Sequence, residues 1–207
     1  ERRLVRPQDL ADSVVVFVGT HQAFNVEETG DRNVYADDEA FESHFKGALP
    51  AGLAINLTGK RAVVLEQGIN GDQIVIYDNG THIPLIWTHL IPATLEGKAL
   101  HNVENAMFAA AMAYALGKTL DQIRTGLRTF DNTFFQSPGR MNVFDEHGFR
   151  VILDYGHNEA AIGAMVDLVD RLRPRGKRIV CVTCPGDRRD EDLRDIAAKV
   201  AGHFDTY

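Results

Sequence analysis

The stretch Arg150-Val-Ile-Leu-Asp154-Tyr-Gly-His-Asn158-Glu-Ala-Ala-Ile162 decides how the second half of this chain folds. Arg150–Asp154 has the short apolar run of a buried strand. Asn158 is a residue type that caps helices. Behind it Ala161, Met165, Leu168 and Leu172 recur at the spacing of one helix face. Pro174-Arg-Gly176 ends that helix, and Arg178–Thr183 reads as a second strand. Asp190 is placed to cap a second helix, with Leu193, Ile196, Ala197 and Val200 on its inner side. Strand–helix alternation of this kind implies a parallel sheet with right-handed crossovers. Parallel strands finish at the same edge. The loops Asp154–Asn158 and Cys184–Arg189 are therefore expected side by side where open α/β sheets bind ligands. Two strands alone make too small a sheet. Phe204-Asp-Thr-Tyr207 reads as the lead into a third, so residues 148–207 are expected to form an incomplete domain.

Working back along the chain, Met141–Phe144 and Phe149–Asp154 read as strands around Glu146-His147-Gly148, and a boundary is expected near residue 147. Residues 101–117 are rich in Ala and Met and predict a helix, with Val103, Ala106, Ala110, Ala113 and Leu116 on one face and Gly117 as its stop. Thr119-Leu-Asp-Gln122 matches a capping box for a further helix carrying Leu120, Ile123 and Leu127. Gln73–Asp78 and Thr81–Ile86 flank Asn79-Gly80, a pair that favours a type I′ hairpin turn. Pro84 places the second of these strands at a sheet edge. Lys60–Glu66 and Val14–Val18 complete the strand expectations, whereas 19–40 is polar and acidic without a clear period.

Composition narrows the partners. The net charge is −7 and no Lys/Arg cluster stands ready for a phosphate backbone, so nucleic acid is not expected. No apolar run approaches the roughly 20 residues of a membrane helix, and the charged start is no secretory signal. The expected location is cytoplasmic. The chain begins with Glu1 rather than Met, as expected of a piece of a longer protein. Cys181 and Cys184 form a Cys-x-x-Cys, but Cys181 falls within the run Ile179–Val182. An offset of three along a strand puts the two side chains on opposite faces, so buried structural cysteines are expected rather than a redox or metal pair.

Several polar residues sit at breaks between elements. Asn102 and Asn105, three apart at the start of a helix, share one face. Their amides can read an adenine edge, or Asn102 can cap the helix. Arg140, after Ser137-Pro-Gly139, can clamp a phosphate bidentately or pair a carboxylate. Asp154 ends a strand where carboxylates commonly accept from ribose hydroxyls. His157 and Asn158 follow it, with a turn-stabilising hydrogen bond as the plain reading of the histidine. Gly186, Asp187 and Arg188 lie in the neighbouring loop, ahead of the acidic first turn Asp190–Asp192. A phosphate loop is not among these features. Thr58-Gly59-Lys60-Arg61 has no glycine five positions before Gly59, and Arg61 stands where a Ser or Thr would hold magnesium.

Taken in order, His101-Asn-Val-Glu-Asn105, Ile123-Arg-Thr-Gly-Leu127, Ser137-Pro-Gly-Arg140, Leu153-Asp-Tyr-Gly-His-Asn158 and Pro185-Gly-Asp-Arg-Arg-Asp-Glu-Asp192 resemble the Mur ligase superfamily. Within it they resemble the ligase half of the cyanophycin synthetases. The likeness spans about 60–207; residues 1–57 match poorly. It implies an α/β fold in which 1–147 are the remainder of the central, ATP-binding domain (a mixed sheet with hairpin and helices). Residues 148–207 would then be the first β-α-β-α of a Rossmann-like C-terminal domain. It also implies an ATP- and Mg2+-dependent ligase, with magnesium ligands mostly outside this chain, that joins arginine to an aspartate side-chain carboxylate of an acidic peptide through an acyl phosphate. Such ligases often self-associate, so a homo-oligomer is expected. By motif, Asn102 and Asn105 would serve adenine, Arg140 the phosphates and Asp154 the ribose. His157, Asn158, Gly186, Asp187 and Arg188 would border the incoming amino acid, with Arg140 and His157 nearest the chemistry. Without a phosphate loop the chain alone is expected to be inactive. A non-catalytic binding or assembly module with the same fold is the competing reading; a generic dinucleotide-binding domain is disfavoured because no Gly-x-Gly-x-x-Gly occurs.

Overall fold

The computed structural model describes the backbone of 14–18 and 54–58, and residues 61–184, 186 and 188–207 in full. Among the described residues, no helix is long and apolar enough to cross a membrane. The chain divides into two compact units. One contains β1 (Val14–Val18) with 132–207; the other is built from the described part of 26–131. The break falls between Asp131 and Asn132, and residues 142–144 pair antiparallel with 151–153 in the unit that follows it.

In the second unit β2 (Ala54–Thr58), β3 (Arg61–Gly68), β4 (Gly71–Asp78) and β5 (Thr81–Trp87) form an antiparallel sheet in sequence order. Asn79 and Gly80 both have positive φ, 49° and 84°, as a type I′ turn requires. β5 is the edge strand, and Pro84 sits at its register irregularity, where a missing N–H does least harm. Helix α1 (Leu100–Ala115) and helix α2 (Leu120–Thr129) cover one face. The core there joins Val63, Ile74 and Ile76 to Val103, Met107, Ala110, Ile123 and Leu127. Met107 is wholly buried, whereas Leu116, expected on the inner stripe, is 78% exposed. The reason is the helix end. Gly117 at φ 75° and the bonds Gly117 N→Tyr114 O and Lys118 N→Ala113 O make a Schellman turn that takes Leu116 off the inner face.

In the first unit the sheet order is β6 (Asn142–Phe144), β7 (Arg150–Asp154), β1, β8 (Arg178–Val182). β6 and β7 are antiparallel, and β1 is parallel to both β7 and β8. The expected two-stranded sheet is therefore four-stranded: β6 adds beside β7, and the run Val14–Val18 occupies the slot between β7 and β8. Helices α3 (Glu159–Leu172) and α4 (Asp190–Val200) pack against each other. Asn158 caps α3, its Oδ1 accepting from Ala161 N at 2.8 Å. Ile162, Met165, Leu168 and Val169 are buried. Asp190 is the first residue of α4 rather than its cap, and Leu193 is exposed while Ile196 and Val200 are buried. Cys181 is exposed, not buried: strand alternation turns Val180 inward and Cys181 outward. Both cysteines are free thiols.

Candidate functional site

The turn before β6 is built around one buried amide. Asn142 is 1% exposed. Its Nδ2 donates to Asn132 O at 2.8 Å and Ser137 O at 2.9 Å, and its Oδ1 accepts from Gly139 N at 2.6 Å. With Arg140 N→Ser137 O at 3.2 Å, these bonds close Ser137–Asn142 into a fixed loop. Gly139 (φ 71°) and Met141 (φ 50°) carry its left-handed bends; at Met141 the side chain costs about 1 kcal/mol or more. The loop is fastened to β7 by Asp154, whose Oδ2 accepts from Met141 N at 2.9 Å while Oδ1 accepts from Gly156 N at 2.7 Å.

That fastening brings Arg140 onto the segment after β7. The guanidinium lies over the Tyr155 ring, 5.2 Å from its centroid. Among the described residues no carboxylate pairs with it. His157 meets Tyr155 edge-on at 5.6 Å, and its Nδ1 lies 3.3 Å from Tyr155 O, the turn bond expected of it. Arg140, Asp154, His157 and Asn158 thus gather at the carboxyl end of β7.

β1 stands between that end and the loop after β8. Val18 aligns with both Asp154 and Val182, so the two loops leave the same edge but are not neighbours. Two strand spacings put their starts about 9–10 Å apart. Gly186 is exposed and Arg188 half-buried; Asp187 lies outside the described residues. Arg189 pairs with Asp192, its Nη2 donating to Oδ1 at 2.8 Å. The side-chain and backbone bonds from Arg189 hold the Asp192 carboxyl below its ordinary value.

Asn102 and Asn105 belong to the other unit. α1 starts after Ala99, which offers no side-chain cap, so Asn102 lies inside the first turn and is not the cap. Its Nδ2 donates to Ala93 O at 2.7 Å, and its Oδ1 accepts from Asn105 Nδ2 at 3.1 Å. Asn105 is exposed. Burial raises the carboxyl pKa of Glu104 between them.

Asn142 and Tyr155 are the residues that the sequence reading passed over. Asn142 had a visible signal, a lone amide heading the apolar run Val143-Phe144. Tyr155 had none, because an aromatic beside a strand end is ordinary until the guanidinium above it is seen.

Residues 139–207 match the family described as Mur ligase, glutamate ligase domain. A cyanophycin synthetase of Trichormus variabilis is 38% identical over 147 residues, 65% of this chain and 16% of that protein. One of Synechocystis sp. is 40% identical over 116 residues, 56% of this chain and 13% of that protein. A UDP-N-acetylmuramoyl-L-alanyl-D-glutamate–2,6-diaminopimelate ligase of Lactiplantibacillus plantarum is 31% identical over 141 residues, 67% of this chain and 27% of that protein. The chain spans well under a third of each of these relatives. Over residues 139–207 the chain matches the Mur ligase, glutamate ligase domain family, and it is a homologue of the cyanophycin synthetases and Mur ligases.

Proposed function

We propose that this chain is a segment of an ATP-dependent acid–amino-acid ligase of the cyanophycin synthetase kind, joining arginine to an aspartate side-chain carboxylate of an acidic peptide. The observation that carries the proposal is Arg140: an exposed guanidinium with no carboxylate partner among the described residues, fixed over Tyr155 at the ligand edge of a parallel sheet. ATP would supply the phosphoryl group that turns the carboxylate into an acyl phosphate. The residues present suit its anionic part. A planar guanidinium can take two phosphate oxygens at once, and one already ordered by a ring loses little freedom on doing so. Negative charge spreads over those oxygens as the phosphoryl group moves, so a fixed cation stabilises the transition state more than the ground state.

Asp154 suits a ribose. Each of its oxygens accepts one backbone N–H and keeps a second lone pair for a hydroxyl. Asn102 and Asn105 would serve the adenine, while His157, Asn158, Gly186 and Arg188 would border the incoming arginine. Magnesium is different. Among the described residues no three His, Cys, Asp or Glu side chains gather into a metal site, and no step is assigned to that ion here. A cytoplasmic location and a homo-oligomer complete the proposal.

The test is arginine-dependent release of ADP in the presence of an aspartate-rich peptide, measured in a parent protein that supplies a phosphate loop. Arg140→Ala is expected to lower the rate about a hundredfold, the scale of losing one positioned charge. A rate within twofold of the unaltered protein would end the assignment.

A further inference from the structure

The start of α1 is an odd place for a well-placed pair of amides, because Ala99 gives the helix no side-chain cap. Three consecutive residues just before it, Leu95, Glu96 and Gly97, have positive φ of 48°, 60° and 80°. Left-handed backbone at Leu and Glu is strained and persists only where its surroundings impose it. What imposes it is Thr94. This residue has no exposed surface. Its hydroxyl lies 2.7 Å from Thr88 O and 2.8 Å from Ile91 O, and accepts from Gly97 N at 3.0 Å. The Thr94 carbonyl accepts from Ala99 N at 2.8 Å, which holds the residue that precedes the helix. Thr88, itself 3% exposed, donates its hydroxyl to Asp72 O at 3.1 Å and so anchors the group to β4. A Cβ on Gly97 would stand 2.7 Å from Thr88 Oγ1, so the turn closes only on glycine. Beside Thr94, the Ala93 carbonyl takes the Asn102 amide, which in turn takes Asn105.

We infer that Thr94 is a positioning residue for adenine recognition: its buried hydroxyl sets the left-handed turn at 95–97 and the register of α1, and thereby the placement of Asn102 and Asn105. This rests on the nucleotide reading above. A serine can make the same bonds; a valine has the same shape and can make none, leaving Gly97 N without its acceptor while Thr88 O and Ile91 O keep the N–H groups of Ile91 and Thr94.

The test uses the whole chain, with adenosine as the probe, and follows the backbone and side-chain amide signals of Asn102 and Asn105 by NMR. Thr94→Val is expected to weaken adenosine binding about tenfold and to speed amide exchange at 97–103 by a similar factor, leaving β7 and α3 unchanged. Thr94→Ser is expected to restore both. Gly97→Ala, which perturbs the turn by a different route, is expected to weaken binding while keeping the Thr94 hydroxyl. A folded Thr94→Val chain that binds adenosine as tightly as the unaltered one would overturn the inference, even with faster exchange, since Thr94 would then be a structural residue only. If the unaltered chain gives no response to adenosine, the adenine reading fails and the inference falls with it.

Discussion

Asn142 holds the loop from which Arg140 projects. Three hydrogen bonds meet on this 1%-exposed side chain, and Asn142→Leu removes all three, although Ser137 O keeps the Arg140 N–H. The expected loss is about 2–3 kcal/mol, read by urea unfolding. Arg140→Ala removes an exposed side chain with no ion pair among the described residues and is expected to shift stability by less than about 0.5 kcal/mol. The contrast between the two separates the residue that builds the loop from the residue the loop presents. Tyr77 offers a pH test. Burial, and then its bond to Glu66 Oε1 at 2.6 Å, push its hydroxyl up to about 12 from 10.0. The folded state favours the neutral phenol. Its contribution is complete below pH 10 and is lost as pH rises from 10 towards 12. Tyr77→Phe is expected to flatten that alkaline slope in a stability–pH curve. At this scale the sequence showed which residues were polar and placed at breaks. It did not show which amides were free. Asn102 and Asn105 look alike in one dimension, yet Asn102 is bound to a backbone carbonyl that lies outside its own helix.

Elements were the most legible level, because their signals are local. Asn79-Gly80, Gly117 and the Thr119–Gln122 capping box each act within a few residues of themselves, and all three took the expected form. In the capping box Thr119 Oγ1 accepts from Gln122 N at 3.3 Å and Gln122 Oε1 from Thr119 N at 3.0 Å. Thr119→Ala is expected to cost about 1 kcal/mol in urea unfolding. Errors arose where a local signal competed with packing. Periodicity nominated Leu116, but the Schellman turn had already ended the inner face, and Met107 filled the core instead. The apolar run around Cys181 suggested burial on both faces, and only Val180 turned inward. Near α1 the cap residues common at helix starts were absent, and the role of the Thr94 hydroxyl in the turn before the helix was not visible.

For the whole molecule the decisive fact was non-local. Nothing in Val14–Val18 itself indicates that it lies between β7 and β8, since pairing partners 136 and 164 residues away leave no mark on a five-residue run. The two-stranded sheet expected from 148–207 followed from that blindness. Deleting residues 1–25 is expected to strip exchange protection from the amides of β7 and β8 while those of β3 and β4 keep theirs, because the units hold separate cores. Equal protection in the truncated chain would mean that β1 contributes nothing to the sheet. The same placement has a consequence during synthesis. Val14–Val18 leaves the ribosome long before either of its neighbours exists, and an unpaired apolar strand is a template for other chains. Its yield on expression should therefore depend on chaperone supply more steeply than that of the 26–131 unit made by itself.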